Sequence, residues 1–193
     1  MKRYVLTGTP GAGKTTVIEE LRRLGHAVVG EAATEVIARR QAAGQAMPWQ
    51  APEFVDAVLE LQRQWESATG PGCGEGQPDV WFFDRSPVCT LALSRYLGRP
   101  ESPALAAEIE RIRRAGTYER TVFFLANLGY VVPSAARRIS FEQAVEFERV
   151  HREAYEELGY RLCDIPVGTP EERAKMILAA LDSADQPRGL GLC

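Results

Sequence analysis

Short apolar runs alternate along the chain with longer segments in which apolar residues recur every three or four positions. That order is expected of an α/β fold with a mostly parallel sheet. Five runs read as strands, at 4–7, 27–30, 80–83, 121–125 and 160–163. None alternates cleanly between apolar and polar residues, which predicts strands covered by helices on both faces. Helix signals fall between and after them. Ser140 followed by Gln143 forms a capping box, and Phe147, Val150, His151, Ala154, Tyr155 and Leu158 then make an apolar stripe at helical spacing. Thr169, Pro170 and Glu172 supply an N-cap, a first-turn proline and a capping acid ahead of Ala174, Ile177 and Leu181. Phe54, Val55, Val58, Leu59, Leu61 and Trp65 follow Pro52 as a broad apolar face, predicting a helix with little exposed surface that is able to line a pocket.

Glycine and proline break every period in 67–79, so this stretch reads as a loop, either a tether between a helix and the third strand or a functional lid. The residues beyond 182 read as fraying, with 184–193 a flexible tail. At 193 residues, one compact domain over 1–183 is expected. Hydrophobic residues at 45% and charged residues at 25% place the chain among globular proteins. The balance of 23 Lys+Arg against 26 Asp+Glu leaves −3, so no global basic field would draw in nucleic acid or acidic lipid, and any anion site must be local.

Cys73, Cys89, Cys163 and Cys193 are widely spaced, without a zinc or redox pattern, and read as reduced thiols. The opening MKRYVLTGTPGAGKTT meets glycines too early for a signal peptide. Asn127, Gly129, Pro133 and Ser134 interrupt the uncharged run 121–136 before it could span a bilayer. A soluble cytoplasmic protein is expected, a monomer or homodimer with neither nucleic acid nor membrane as partner.

The sharpest feature is Gly8-Thr9-Pro10-Gly11-Ala12-Gly13-Lys14-Thr15, which fits G-x-x-x-x-G-K-[ST], the Walker A phosphate-binding loop. It follows a strand and precedes a helix carrying Val17, Ile18, Leu21 and Leu24, as the motif requires. Glycines let successive backbone N–H groups curl around an anion, and the helix N-terminus adds its positive dipole end. Lys14 can bridge β- and γ-phosphate oxygens, the Thr15 hydroxyl can ligate Mg²⁺, and Thr16 is placed to touch an α-phosphate. A nucleoside triphosphate, taken as ATP with Mg²⁺, is the expected ligand.

Val80-Trp81-Phe82-Phe83-Asp84 is an apolar strand ending in an acid, as a Walker B strand should be. Asp84 can hold Mg²⁺, accept a proton from an attacking hydroxyl, or simply cap the helix starting near Pro87. Arg85 beside it can hold an anionic acceptor or a transferring phosphoryl group, or stand as a surface arginine. Glu31, just past the second strand, belongs at the same crevice, as base or substrate ligand or as a first-turn glutamate. Arg137 and Arg138 lie on the connection after the fourth strand, where they could close over phosphates as an arginine finger in cis or form a solvated pair. Arg111, Arg113 and Arg114 read as a solvated helix face balanced by Glu108 and Glu110. His151 reads as a hydrogen-bonded core residue, and His26 as lacking a companion ligand.

Together GTPGAGKTT, VVGEAATEVI, WFFDRS, AARRISFEQAVEFERVH and IPVGTPEER resemble P-loop kinases and AAA-type predicted ATPases similar to the ribosylnicotinamide kinase domain. The resemblance runs from one end of the chain to about Leu181. It implies a three-layer P-loop NTPase fold with a five-stranded parallel sheet in order 2-3-1-4-5, a lid on 126–138 and a base site near 165–169. Glu31 and Asp84-Arg85-Ser86 also resemble the glutamate after strand 2 and the D/E-R-S triplet of deoxynucleoside and nucleotide kinases, though Ala32 stands where those commonly carry proline. That likeness implies Glu31 or Asp84 as base and Arg85 as a substrate or phosphate ligand. Two functions follow: a small-molecule kinase phosphorylating a hydroxyl of a nucleoside-like or other metabolite, or a nucleotide-dependent ATPase/GTPase switch acting through a partner. No N-K-x-D guanine-reading motif occurs, which disfavours an ordinary GTPase.

Overall fold

A computed structural model describes residues 1–69, 78–129 and 140–185, the last four by backbone alone. In chain order the elements are β1 (Lys2–Thr7), α1 (Lys14–Arg23), β2 (Ala27–Val29), α2 (Ala32–Ala42), a 3₁₀ turn (Pro48–Gln50) and α3 (Phe54–Ser67). They continue with β3 (Val80–Asp84), α4 (Pro87–Tyr96), α5 (Pro103–Ala115), β4 (Thr121–Leu125), α6 (Phe141–Glu157), β5 (Arg161–Ile165) and α7 (Pro170–Asp185). The strands form one parallel sheet in the order β2-β3-β1-β4-β5.

The period of two in the central strand sorts the core into two layers. Val5 of β1, with Phe83 and Val122, faces Val88, Leu105, Ile109 and Tyr155 from α4, α5 and α6. Tyr4 and Leu6, with Phe82 and Phe123, face Val17, Ile18 and Leu21 of α1 and Ala174 and Ile177 of α7. A third cluster packs Phe54, Val58 and Leu61 of α3 against Ala32, Val36 and Ile37 of α2. The α3 face read from the sequence is therefore buried largely against another helix.

Parallel register brings the chemistry to one edge. Leu6 pairs with Asp84, Val5 with Val122 and Val29 with Phe83, so the phosphate-binding loop, Asp84 and Glu31 all emerge at the carboxyl ends of β1, β3 and β2. Ligands of open α/β sheets bind at this edge, where strand order reverses on either side of the first strand.

Several boundaries differ from expectation. β5 lies at 161–165 rather than 160–163, because Arg161 joins the ladder through its N–H to the Arg120 carbonyl. β1 starts two residues early, with the Lys2 N–H donating to the Asp79 carbonyl. Helix α7 continues to Asp185, past the expected fraying point, and α3 extends through Ser67 into the expected loop. Positions 70–77 of that loop and the tail from 186 lie outside the described residues. Arg113 and Arg114 do pair with Glu110 on the surface, but Arg111 does not belong to a solvated face: it bridges Glu108 and Glu66, both buried. Both capped helices start as read, with Gln143 N–H donating to Ser140 Oγ and Glu172 N–H to Thr169 Oγ1.

Gly8 is the tightest point of the scaffold. Its φ of 138° lies in the region that L side chains rarely adopt, and a Cβ there would stand 2.6 Å from the Leu125 carbonyl oxygen. Gly8→Ala is expected to destabilise the fold by at least about 2 kcal/mol, since backbone on both sides must shift. A chemical-denaturation midpoint equal to that of the wild type would contradict this packing.

Candidate active site

The loop between β1 and α1 is closed by its own lysine. Lys14 is buried, and its Nζ donates to the Gly8 carbonyl at 3.0 Å and the Thr9 carbonyl at 2.8 Å. Thr16 Oγ1 donates to the Gly13 carbonyl at 2.7 Å, and Asn127 Nδ2 donates to Thr9 Oγ1 at 3.0 Å, tying the loop to the segment after β4. Gly8, Gly11 and Gly13 all take positive φ, the conformation that allows consecutive N–H groups to converge on one side. Thr15 and Thr16 are exposed at the start of α1, where the dipole end faces out, and Pro10 and Ala12 complete the turn.

Asp84 ends β3 at 4% exposure, and its Oδ1 has no hydrogen-bond partner among the described residues. Burial and the neighbouring Glu31 charge push its carboxyl well above the usual carboxylate range, against the pull of Lys14 and Arg85. It is not the cap of α4, since Ser86 performs that task by accepting from the Val88 N–H. An orphaned buried carboxylate oxygen is the donor expected where a divalent cation sits. Mg²⁺ is commonly held by one or two carboxylates plus substrate phosphates, and Asp84 with the exposed Thr15 hydroxyl fits that arrangement.

Arg85 is the one non-glycine of positive φ among the described residues, at 77°. The strained backbone aims its side chain between two helices. Its Nε donates to Glu31 Oε1 at 2.5 Å, and its Nη1 stands 3.2 Å from His151 Nε2. Glu31 precedes α2 and also accepts from Thr34 Oγ1 at 2.9 Å. Burial opposes ionisation of Glu31, but the Arg85 and Lys14 cations outweigh it and hold the carboxyl well below its usual range. Lys14, Glu31, Asp84 and Arg85 thus form one electrostatic cluster. Arg137 and Arg138 lie outside the described residues.

The core reading of His151 holds, with more to it than packing. Fully buried, its Nδ1 can donate to the Phe147 carbonyl at 2.9 Å, which leaves Nε2 to accept from Arg85. Burial, and then the Arg85 charge, lower its pKa to about 3. Between about 3 and 6.5 the unfolded chain therefore binds a proton that the folded chain refuses, so stability falls as pH drops through that window, by up to about 1.4 kcal/mol per pH unit. His151→Gln is expected to flatten this slope in denaturant midpoints measured against pH. Identical slopes would contradict the neutral, buried assignment.

Beside this cluster a cavity of about 150 Å³ opens between Pro10, Glu31 and Arg85 on one side and α3, α4 and α6 on the other. Trp49, Phe54 and Phe147 give it aromatic walls, and Gln62 and Thr90 add a polar edge in which Thr90 Oγ1 donates to Gln62 Oε1 at 2.8 Å. Glu31 and Arg85 are the charged side chains of its lining, and their charges cancel.

A family profile for the AAA domain matches residues 3–173. The chain belongs to that family. Among solved structures, shikimate kinase from Aquifex aeolicus is similar with 15% identity and a TM-score of 0.58, covering 95% of this chain and 98% of its own. Shikimate kinase from Acinetobacter baumannii, in complex with shikimate, gives 15% identity and a TM-score of 0.57 over 97% of this chain and 96% of its own. Deoxyadenosine kinase from M. mycoides, with dCMP and dCDP bound, gives 17% identity and a TM-score of 0.53 over 95% of this chain and 100% of its own. The comparison with curated proteins gives no match. The fold of this AAA-domain chain is accordingly that of the P-loop kinases, with the strand order expected from the resemblance.

Two features of the AAA-domain site escaped the sequence reading. The contact of His151 with Arg85 spans 66 positions and has no local signature. Arg173, by contrast, sits in the IPVGTPEER segment and is buried beneath the phosphate-binding loop. An arginine one turn into a capped helix, on the face that carries Ala174 and Ile177, was the available signal.

Proposed function

We propose that this chain is a small-molecule kinase that moves the γ-phosphoryl group of ATP to a hydroxyl of an acceptor bound in the aromatic-walled cavity. The observation that carries the reading is the cavity's position. A switch needs a nucleotide site and a moving segment, whereas a kinase needs a second pocket that meets the phosphate loop, and here Pro10 belongs to both. At about 150 Å³ the space matches a six-membered ring, which suits a nucleoside-like or similar ring-bearing metabolite.

The residues divide the work by where they stand. The loop's backbone N–H groups, of which Pro10 has none, bind the triphosphate together with Lys14 and the N–H of Thr16 at the start of α1. Thr15 and Asp84 would hold Mg²⁺, which when bound neutralises charge on the β- and γ-phosphates. Glu31 lines the cavity and Asp84 does not, so Glu31 is the carboxylate placed to orient the acceptor hydroxyl and take its proton. A base held this far ionised is weak, yet phosphoryl transfer through a loose transition state asks mainly for positioning. Arg85, braced by Glu31 and His151, is proposed to stabilise the transferring group through its guanidinium. Arg137 and Arg138 are proposed to add charge from the connection after β4.

Glu31→Gln tests this division. Acceptor-dependent turnover is expected to fall at least about a hundredfold while ATP affinity stays within a few fold. Unchanged turnover would remove Glu31 from the proton's path, and ATP hydrolysis that no acceptor accelerates would replace the kinase by the switch.

A further inference from the structure

Arg173 is 1% exposed on α7, yet among the described residues its hydrogen bonds all go to uncharged backbone. Its Nη1 donates to the Ala12 carbonyl at 2.6 Å, and its Nη2 donates to the Ala126 carbonyl at 2.9 Å and approaches the Ile165 carbonyl at 3.5 Å. One guanidinium therefore joins the phosphate-binding loop to the carboxyl ends of β4 and β5. Among the described residues no carboxylate pairs with it, burial alone lowers its pKa, and its Nε is buried without a partner. A buried cation held only by neutral dipoles carries an uncompensated desolvation cost. Such a cost persists where something that binds from outside supplies the opposite charge.

We propose that Arg173 is a positioning residue for the phosphate cradle, and that its counter-ion is the polyphosphate of the bound nucleotide. Peptide geometry links the two roles. The Ala12–Gly13 peptide is trans, so its N–H points opposite to its carbonyl. Pinning the Ala12 carbonyl toward α7 turns the Gly13 N–H to the other side of the loop. Three further loop carbonyls are occupied as well: those of Gly8 and Thr9 by Lys14, and that of Gly13 by Thr16. At this peptide an arriving anion then meets the Gly13 N–H rather than the Ala12 carbonyl oxygen, with a positive charge fixed behind it. The space between is tight, since a Cβ on Gly13 would stand 3.2 Å from Arg173 Nη1.

This inference rests on the reading of the loop as a phosphate site, and inorganic tripolyphosphate, which has no base or ribose, isolates it. Binding of tripolyphosphate and of ATP is measured by calorimetry on wild type, R173K and R173M, alongside the ligand-free melting midpoint of each. The expected result is about a tenfold or greater loss of tripolyphosphate affinity in R173M, with its ligand-free midpoint equal to or above that of wild type. R173K keeps the charge but not the two-pronged fork, and is expected to bind with intermediate affinity. Wild-type affinity for tripolyphosphate in both variants would overturn the proposal. So would an R173M too unstable to assay together with an R173K that binds as wild type does. If wild type binds neither tripolyphosphate nor ATP, the cradle reading itself fails, an outcome distinct from loss confined to the variants.

Discussion

Asp84→Asn is expected to lower phosphoryl transfer by at least about a hundredfold while the protein still binds ATP and loses no stability. The two halves of this expectation have separate causes. Transfer falls because the amide keeps the shape of the side chain but not the charge that would hold Mg²⁺ against the phosphates. Nucleotide binding survives because the cradle's main-chain N–H groups and Lys14 are untouched. Stability survives because Asp84 Oδ1 is buried without a partner among the described residues, and the carboxyl ionises against desolvation and the Glu31 charge. The folded state thus holds the Asp84 proton more tightly than the unfolded chain does. Below the ordinary carboxylate range this stabilises fully, and the benefit is lost as pH rises through the elevated folded value. Asp84→Asn is expected to remove that decline from the ligand-free protein. Native transfer rates in the variant would take Asp84 out of the site, and an unaltered pH slope would show that its carboxyl titrates normally.

Lys14→Ala is expected to act on nucleotide and scaffold together. Its Nζ satisfies the carbonyls of Gly8 and Thr9, so truncation leaves two buried acceptors short of a charged donor and lets the loop relax. The same change removes the cation that favours ionisation of both Glu31 and Asp84. ATP affinity is expected to fall about a hundredfold and turnover about a thousandfold, with both carboxyls becoming harder to ionise. Calorimetry for binding and a pH series for turnover separate these effects. A variant that binds ATP with native affinity would overturn the cradle.

Local patterns carried much of this architecture. Five apolar runs lacking alternation pointed to a sheet covered on both faces, and the Walker A spacing, the acid ending the third strand and Glu31 after the second pointed to one crevice. Register then brings those three to a common edge, because parallel strands that start and stop together must deliver their following residues side by side. Strand ends were less legible: whether Arg161 or Tyr160 opens β5 is decided by a carbonyl on the neighbouring chain segment, at Arg120. Arg111 misled because its charges balance locally with Glu108 and Glu110, whereas Glu66, distant in sequence, decides where it sits. His151 was legible as core from the α6 stripe, but the cation it faces comes from a strained turn after β3. The cavity needed the fold itself, since its walls come from the 3₁₀ turn, α3, α4 and α6.

If the phosphate loop and the aromatic cavity serve one reaction, Mg²⁺-dependent ATP consumption, with Lys14→Ala as control, must respond to an acceptor. Turnover is followed alone and against pooled nucleosides, vitamins, sugars and other ring-bearing alcohols, with products read by mass spectrometry. One pool is expected to raise turnover and yield an acceptor heavier by one phosphate, and Lys14→Ala to abolish both. Tight ATP binding with slow hydrolysis that no pool accelerates would contradict a shared reaction.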